Sequence, residues 1–156
     1  MKKIFFRTFL LLILLATLIL VSYNENIVQA KSSSYTSDVQ LLARAINGEA
    51  RGEPYEGQVA VGAVILNRME DSRFPNTIAG VIYQKGQFSC VTDGQFDVAI
   101  DEASTVYKAA EEAMNGADPT NGALYFYNPS KTKSKWLFSL KTTTTIGKHV
   151  FASGEK

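Results

Sequence analysis

A glutamate set among small residues, Gly48-Glu49-Ala50-Arg51-Gly52-Glu53, is the most chemically suggestive segment of this chain. On a helical wheel Glu49 falls beside Leu42, at the edge of an apolar stripe, so its carboxyl is carried toward the core side. Desolvation disfavours the ionised form of such a group and is expected to raise its pKa. A carboxylic acid that keeps its proton near neutral pH suits a general acid for glycosidic cleavage. Gly48 and Gly52 are expected to leave room beside it for a bulky substrate. The alternative is a structural carboxylate, paired with Arg51 or Arg44 at a helix end. A two-carboxylate glycosidase needs a second acid at roughly 5 Å for retention or about 6.5–9.5 Å for inversion. Glu53 and Glu56 follow at once. Glu53 sits where the helix is already ending, so it reads as a supporting residue that orients Arg51 or caps the next helix.

The elements that must position Glu49 are legible from spacing. Ser37 is expected to cap a helix whose stripe is Val39, Leu42, Ala43, Ile46 and Ala50, stopped by Pro54. A second helix is expected over Glu56 to Met69, with Gly62 permitting a close crossing. Pro75 and Gly80 bracket a short turn or helix, and 86–94 reads as an irregular loop. A third helix covers Ala103 to Asn115, with Val106, Ala109, Ala110, Ala113 and Met114 inward and Gly116 as its stop. The chain then turns aromatic. Residues 123–127 read as a strand, 131–135 as a basic turn, and 136–138, 142–146 and 149–151 as short strands. Helices first and a small antiparallel sheet later make an α+β domain.

Composition narrows the function. The chain has 156 residues, 46% of them hydrophobic, and a net charge of +1, as suits a single globular domain without the basic field of a nucleic-acid binder. A single Cys and a single His rule out an intramolecular disulfide framework and argue against a zinc site. No metal and no cofactor are expected. Residues 1–30 combine Lys2, Lys3 and Arg7, an apolar run from Phe9 to Val21, and Val28-Gln29-Ala30 as a cleavage triplet. That layout is a signal peptide, or else a membrane anchor with a rather short apolar run. Either way the domain is expected outside the cytoplasmic membrane, touching it only through an uncleaved N-terminus. The Ser-rich 31–36 reads as a linker, and 37–152 as the domain.

Several ordered motifs resemble the SleB/CwlJ family of spore cortex-lytic and related cell-wall hydrolases. They are Ala43–Glu53, Gly57–Arg68, Phe74–Ile78, Gly86-Gln87-Phe88-Ser89, Gly122–Pro129, Ser134-Lys135-Trp136 and Ile146–Phe151. The resemblance implies a lysozyme-related fold acting on peptidoglycan glycan strands, with the spore cortex as one setting; with the N-terminal address, the domain is expected to be secreted or wall-associated, and a monomer is expected. It implies that Glu49 is the catalytic glutamate and, for at least some members, lytic transglycosylation as the chemistry, with ordinary hydrolysis the outcome if Glu53 stood at nucleophile distance. The bond cleaved would join N-acetylmuramic acid to N-acetylglucosamine, leaving a 1,6-anhydro end. Gln87, Phe88 and Ser89 fall in the family's Gln-Phe-Ser motif. There an amide and a hydroxyl can bond an N-acetyl group and a ring can stack on a sugar, or the polar pair can close the loop's own backbone bonds. Tyr125 and Tyr127 share one strand face and keep polar tips for a saccharide, with Asn128 at the strand's end and Phe126 toward the core. Trp136 reads as core or cleft wall, and Lys131, Lys133 and Lys135 as a solvated face or a match for stem-peptide carboxylates.

Two rival chemistries also act on peptidoglycan stems. A cysteine peptidase would pair Cys90 with His149, but Cys90 lies in an apolar context without a local basic residue and reads as a small buried side chain. An N-acetylmuramoyl-L-alanine amidase would use zinc, for which His149 is the lone histidine ligand.

Overall fold

The computed structural model describes residues 2–101 and 103–154, with side chains from residue 13 onward. The side chains of Lys2, Lys3 and Arg7, read as the positive start of the address, lie outside the described residues. The chain divides into two units, Met1–Ser37 and Asp38–Lys156. The first is helical throughout its described residues and belongs to α1 (Lys2–Ala50). The stretch Ile13–Ala50 is long and apolar enough to cross a membrane, a test that a signal sequence near the N-terminus passes as well. Residues 31–36, expected as a linker, are helical, and Ser37 lies inside α1 and caps nothing. Thr36 Oγ1 donates back to Ser32 O at 3.0 Å, so a hydroxyl side chain can stay in the helix by bonding its own preceding turn.

The second unit is α+β. It takes the end of α1 and adds α2 (Tyr55–Glu70), α3 (Ile78–Ile82), two 3-10 turns (Ser89–Val91 and Gln95–Asp97), α4 (Val106–Met114), β1 (Tyr125–Tyr127), α5 (Lys135–Ser139), β2 (Lys141–Ile146) and β3 (His149–Ser153). The stripe of α1 packs as its spacing demands, with Leu42, Ala43 and Ile46 wholly buried. α2 supplies Val61, Val64 and Ile65, and α4 supplies Val106, Ala109 and Ala110. A Cβ on Gly62 would lie 3.0 Å from Ala113 Cβ and 3.2 Å from Ile46 Cδ1, so this glycine lets α2 approach both neighbours closely. α4 begins at Val106, later than its periodicity suggests. Ahead of it Asp101 accepts from the Ala103 and Ser104 backbone N–H groups instead.

The sheet runs β1-β3-β2, both pairs antiparallel. Phe126 pairs with Phe151, and β2 carries a bulge between Thr142 and Thr144. The β2–β3 hairpin turns on Gly147 (φ 58°) and Lys148. Residues 136–138, expected as a strand, lie in α5. The run is short and aromatic, but Ser134 Oγ accepts from Leu137 N–H and starts a helical turn there.

Candidate active site

Glu49 stands one residue from the end of α1, half-buried, where two cavities meet. The larger is a groove of about 720 Å³ floored by Arg68, Phe88 and Phe126 and walled by Gln87, Ser89, Tyr127 and Asn128. The smaller, about 260 Å³, is lined by Arg51, Glu53, Lys131 and Lys148. Gly48, Glu49, Asn128, Lys131 and His149 belong to both.

The carboxylate is held by the first 3-10 turn. Glu49 Oε1 accepts from the Cys90 backbone N–H at 2.9 Å and from Ser89 Oγ at 3.2 Å. Among the described residues no ion pair reaches Glu49, and Arg44 lies 3.8 Å from Asp97 instead. The structural pairing with Arg44 or Arg51 is therefore not made. Gly48 makes the approach of the turn possible, since a Cβ there would collide with Cys90 Cβ. This corrects the expected role of that glycine: it admits the protein's own loop. Gly52 does face open space, with nothing within 4 Å of an added Cβ.

Glu53 neither orients Arg51 nor caps α2. Its Oε2 accepts from the Lys148 backbone N–H at 2.8 Å and so clasps the β2–β3 hairpin to the end of α1. A side chain on Gly147 would collide with that same oxygen. Through this clasp His149 and Lys148 are brought to the cavity that Glu49 lines. Arg51 is exposed beside it, without an ion pair among the described residues.

The remaining candidates divide. Gln87 and Ser89 are exposed in the groove, and Ser89 spends its hydroxyl on Glu49 and not on the loop backbone. Phe88 is only 3% exposed and packs toward Phe126, with centroids 6.3 Å apart. Tyr127 and Asn128 line the groove, and Asn128 Oδ1 accepts from the Ser130 N–H to shape the loop that follows. Tyr125 is not a groove residue: it packs edge-on against Trp136 at 5.1 Å and near Phe74 at 6.2 Å. Phe126, read as core, does pack against the core, with its ring 6.1 Å from that of Phe151, and also lines the groove.

Arg68 escaped the sequence reading. It is 4% exposed, donates through Nε to Leu124 O at 2.6 Å, and lies 5.2–5.3 Å from the rings of Phe74, Phe88 and Tyr125. Burial pulls its guanidinium down to about 10. The signal was present in its spacing from Val61, Val64 and Ile65, which puts it on the inner face of α2.

The Cys90–His149 pairing has no support in this arrangement. Burial, and then the Glu49 carboxylate, push the Cys90 thiol up to about 12, so it holds no thiolate to attack with. Among the described residues no cluster of three or more His, Cys, Asp or Glu side chains stands ready for a metal.

The sequence profile of the Cell Wall Hydrolase family matches residues 52–152, beginning just past Glu49. The spore cortex-lytic enzyme of Bacillus cereus is 50% identical over 115 residues, which cover 74% of this chain and 44% of that protein. The chain thus spans under half the length of that relative. The cell wall hydrolase CwlJ of Bacillus subtilis is 32% identical over 100 residues, 60% of this chain and 69% of that protein. Among solved structures, the catalytic domain of the germination-specific lytic transglycosylase SleB from Bacillus anthracis superposes with a TM-score of 0.69 at 49% identity, over 74% of this chain and 93% of that one. With the α+β core and the motif order already in place, these similarities put the chain in the SleB/CwlJ family of cell wall hydrolases.

Proposed function

We propose that this chain is a peptidoglycan lytic enzyme and that Glu49 is its catalytic acid. The observation that carries the reading is a half-buried carboxylate at the junction of two cavities, with one oxygen pinned by Ser89 and Cys90 and no ion pair to it among the described residues. Pinning Oε1 leaves Oε2 to carry the proton. In the proposed reaction Glu49 gives that proton to the oxygen linking N-acetylmuramic acid to N-acetylglucosamine, and the C1–O bond breaks. The 6-hydroxyl of the muramic sugar then bonds to C1, and the Glu49 carboxylate takes the hydroxyl proton. A 1,6-anhydro end results, and the acid is regenerated without water. The commitment of Glu53 to Lys148 N–H favours this single-carboxylate route. Asp93 also lines the groove, with Oδ1 accepting from Gln95 N–H; hydrolysis through it is the second reading.

Gln87, Ser89, Tyr127 and Asn128 are the proposed sugar contacts, and Arg51 and Glu53 the supporting residues. The spore cortex is the proposed setting, in line with the spore cortex-lytic relative of Bacillus cereus. The apolar N-terminal unit is the proposed export signal or anchor of a monomeric extracytoplasmic domain spanning 37–152. Glu49→Gln keeps the shape and removes the proton. It should still bind sacculi while clearing them about 10²–10⁴-fold more slowly. Anhydro ends in the released muropeptides, read by mass spectrometry, mark transglycosylation, and reducing ends mark the Asp93 route. Undiminished clearing by the variant ends the assignment.

A further inference from the structure

His149 is the sole histidine of the chain, and its ring is sealed on one side only. It opens β3 at 7% exposure, with Phe126 at 5.3 Å and Phe151 at 6.3 Å between ring centroids. It also lines both cavities that meet at Glu49. Nδ1 is buried without a hydrogen-bond partner, so Nε2 is the ring nitrogen left to meet the cavities.

A neutral imidazole carries its proton on one nitrogen, and orphaned buried N–H groups are rarer than orphaned acceptors. The proton therefore belongs on Nε2, where a guest can use it. A second proton would strand an N–H at Nδ1. Burial holds the ring below its ordinary pKa, helped by Lys131 and opposed by the Glu53 and Glu49 carboxylates. The ring thus stays a neutral donor at neutral pH. The smaller cavity sets the Glu49 and Glu53 carboxylates against Arg51, Lys131 and Lys148, so its charges nearly balance; the matching acceptor for a neutral N–H is a neutral one, and an amide carbonyl is the strongest that an acetylated amino sugar offers.

We propose that His149 is a substrate-positioning residue whose Nε2–H donates to the N-acetyl carbonyl of the sugar bound beside Glu49. This rests on the glycan-cleaving reading above. The test uses ¹⁵N-labelled full-length protein carrying Glu49→Gln, so that nothing turns over, and the soluble disaccharide-tetrapeptide of peptidoglycan as probe. The single histidine should show the Nε2–H tautomer at neutral pH, and its Nε2 resonance should move with the probe but not with a de-N-acetylated probe. His149→Leu in the same background should weaken binding at least tenfold with the melting temperature unchanged or raised. His149→Gln, which restores a donor near that position, should recover much of the affinity. With Glu49 intact, His149→Leu should raise KM more than it lowers kcat. An Nδ1–H tautomer, undiminished binding by His149→Leu, or a melting temperature that falls together with affinity overturns the proposal. If the probe fails to bind the Glu49→Gln parent at all, the glycan reading itself falls, and this proposal with it.

Discussion

Replacing Gly48 by alanine sets two opposed effects against each other, and the structure decides which wins. In a bare helix the change stabilises by about 1 kcal/mol. Here Gly48 lies in the last turn of α1, and the added Cβ would collide with Cys90 Cβ and sit 3.1 Å from Cys90 Sγ. Cys90 Cβ is bonded directly to the backbone and cannot rotate away, so the 3-10 turn must shift. Overpacking of this kind costs about 1–3 kcal/mol. The shift also stretches the Cys90 N–H bond to Glu49, and a hydrogen bond of this kind contributes about 0.5–1.5 kcal/mol. The net expectation is a loss of about 0.5–3.5 kcal/mol, or roughly 2–15 °C of melting temperature for a domain this size. Clearing of sacculi should fall with it, because Glu49 loses a donor that aims it. Gly52→Ala is the control: nothing lies within 4 Å of its Cβ, and its stability should stay within about 0.5 kcal/mol. Thermal unfolding of both variants reads the sign. In a double-mutant cycle Cys90→Gly should relieve the Gly48→Ala penalty and Cys90→Ala should not, since alanine keeps the colliding atom. A Gly48→Ala protein as stable as its parent would refute the packing argument outright.

Cys90→Ala alone should keep full lytic activity, and the native thiol should resist iodoacetamide at pH 8 until the protein unfolds; loss of activity would revive the peptidase reading. The same thiol predicts alkaline behaviour. Its pKa is raised from 9.0 unfolded to about 12 folded, so its contribution is intact below pH 9 and is lost as pH climbs from there toward 12. Urea titrations should therefore show stability falling across that window in wild type and less so in Cys90→Ala, and parallel curves would remove the thiol as the cause. Trp136 is 54% exposed on α5 beside the groove residue Leu137, so Trp136→Ala should change stability by less than about 1 kcal/mol yet weaken retention on insoluble peptidoglycan severalfold. Unchanged retention in a co-sedimentation assay would confine sugar contact to the groove.

Much of the scaffold could be read from residue order alone, because it rests on local periodicity. Leu42, Ala43 and Ile46 repeat at helical spacing and are buried, and the β2–β3 hairpin lies where its turn residues put it. Glu49 could be marked as a candidate for the same reason, since its angle on the stripe is a property of one helix; the pattern left a structural carboxylate open, and the motif resemblance made the choice. What failed locally failed where signals were short. Residues 136–138 have strand-like side chains, but a capping hydroxyl at Ser134 decided the backbone. The Ser-rich 31–36 looked irregular only because hydroxyls that bond their own preceding turn are invisible in composition.

The site itself was decided by distance along the chain. The Cys90 N–H that holds Glu49 lies 41 residues away, and the Lys148 N–H that occupies Glu53 lies 95 away. Both donors are backbone groups, which every residue but proline carries, so no side-chain pattern could mark them in advance. Strand alternation likewise paired Tyr125 with Tyr127, but not which neighbours each would meet; packing against Trp136 and Phe74 took Tyr125 away and left Phe126 in the groove. Residue order thus chose the candidate acid and the helix that carries it. Only folding chose the donors that aim the acid and the walls around it, because those contacts exist only once remote backbone segments have been brought together.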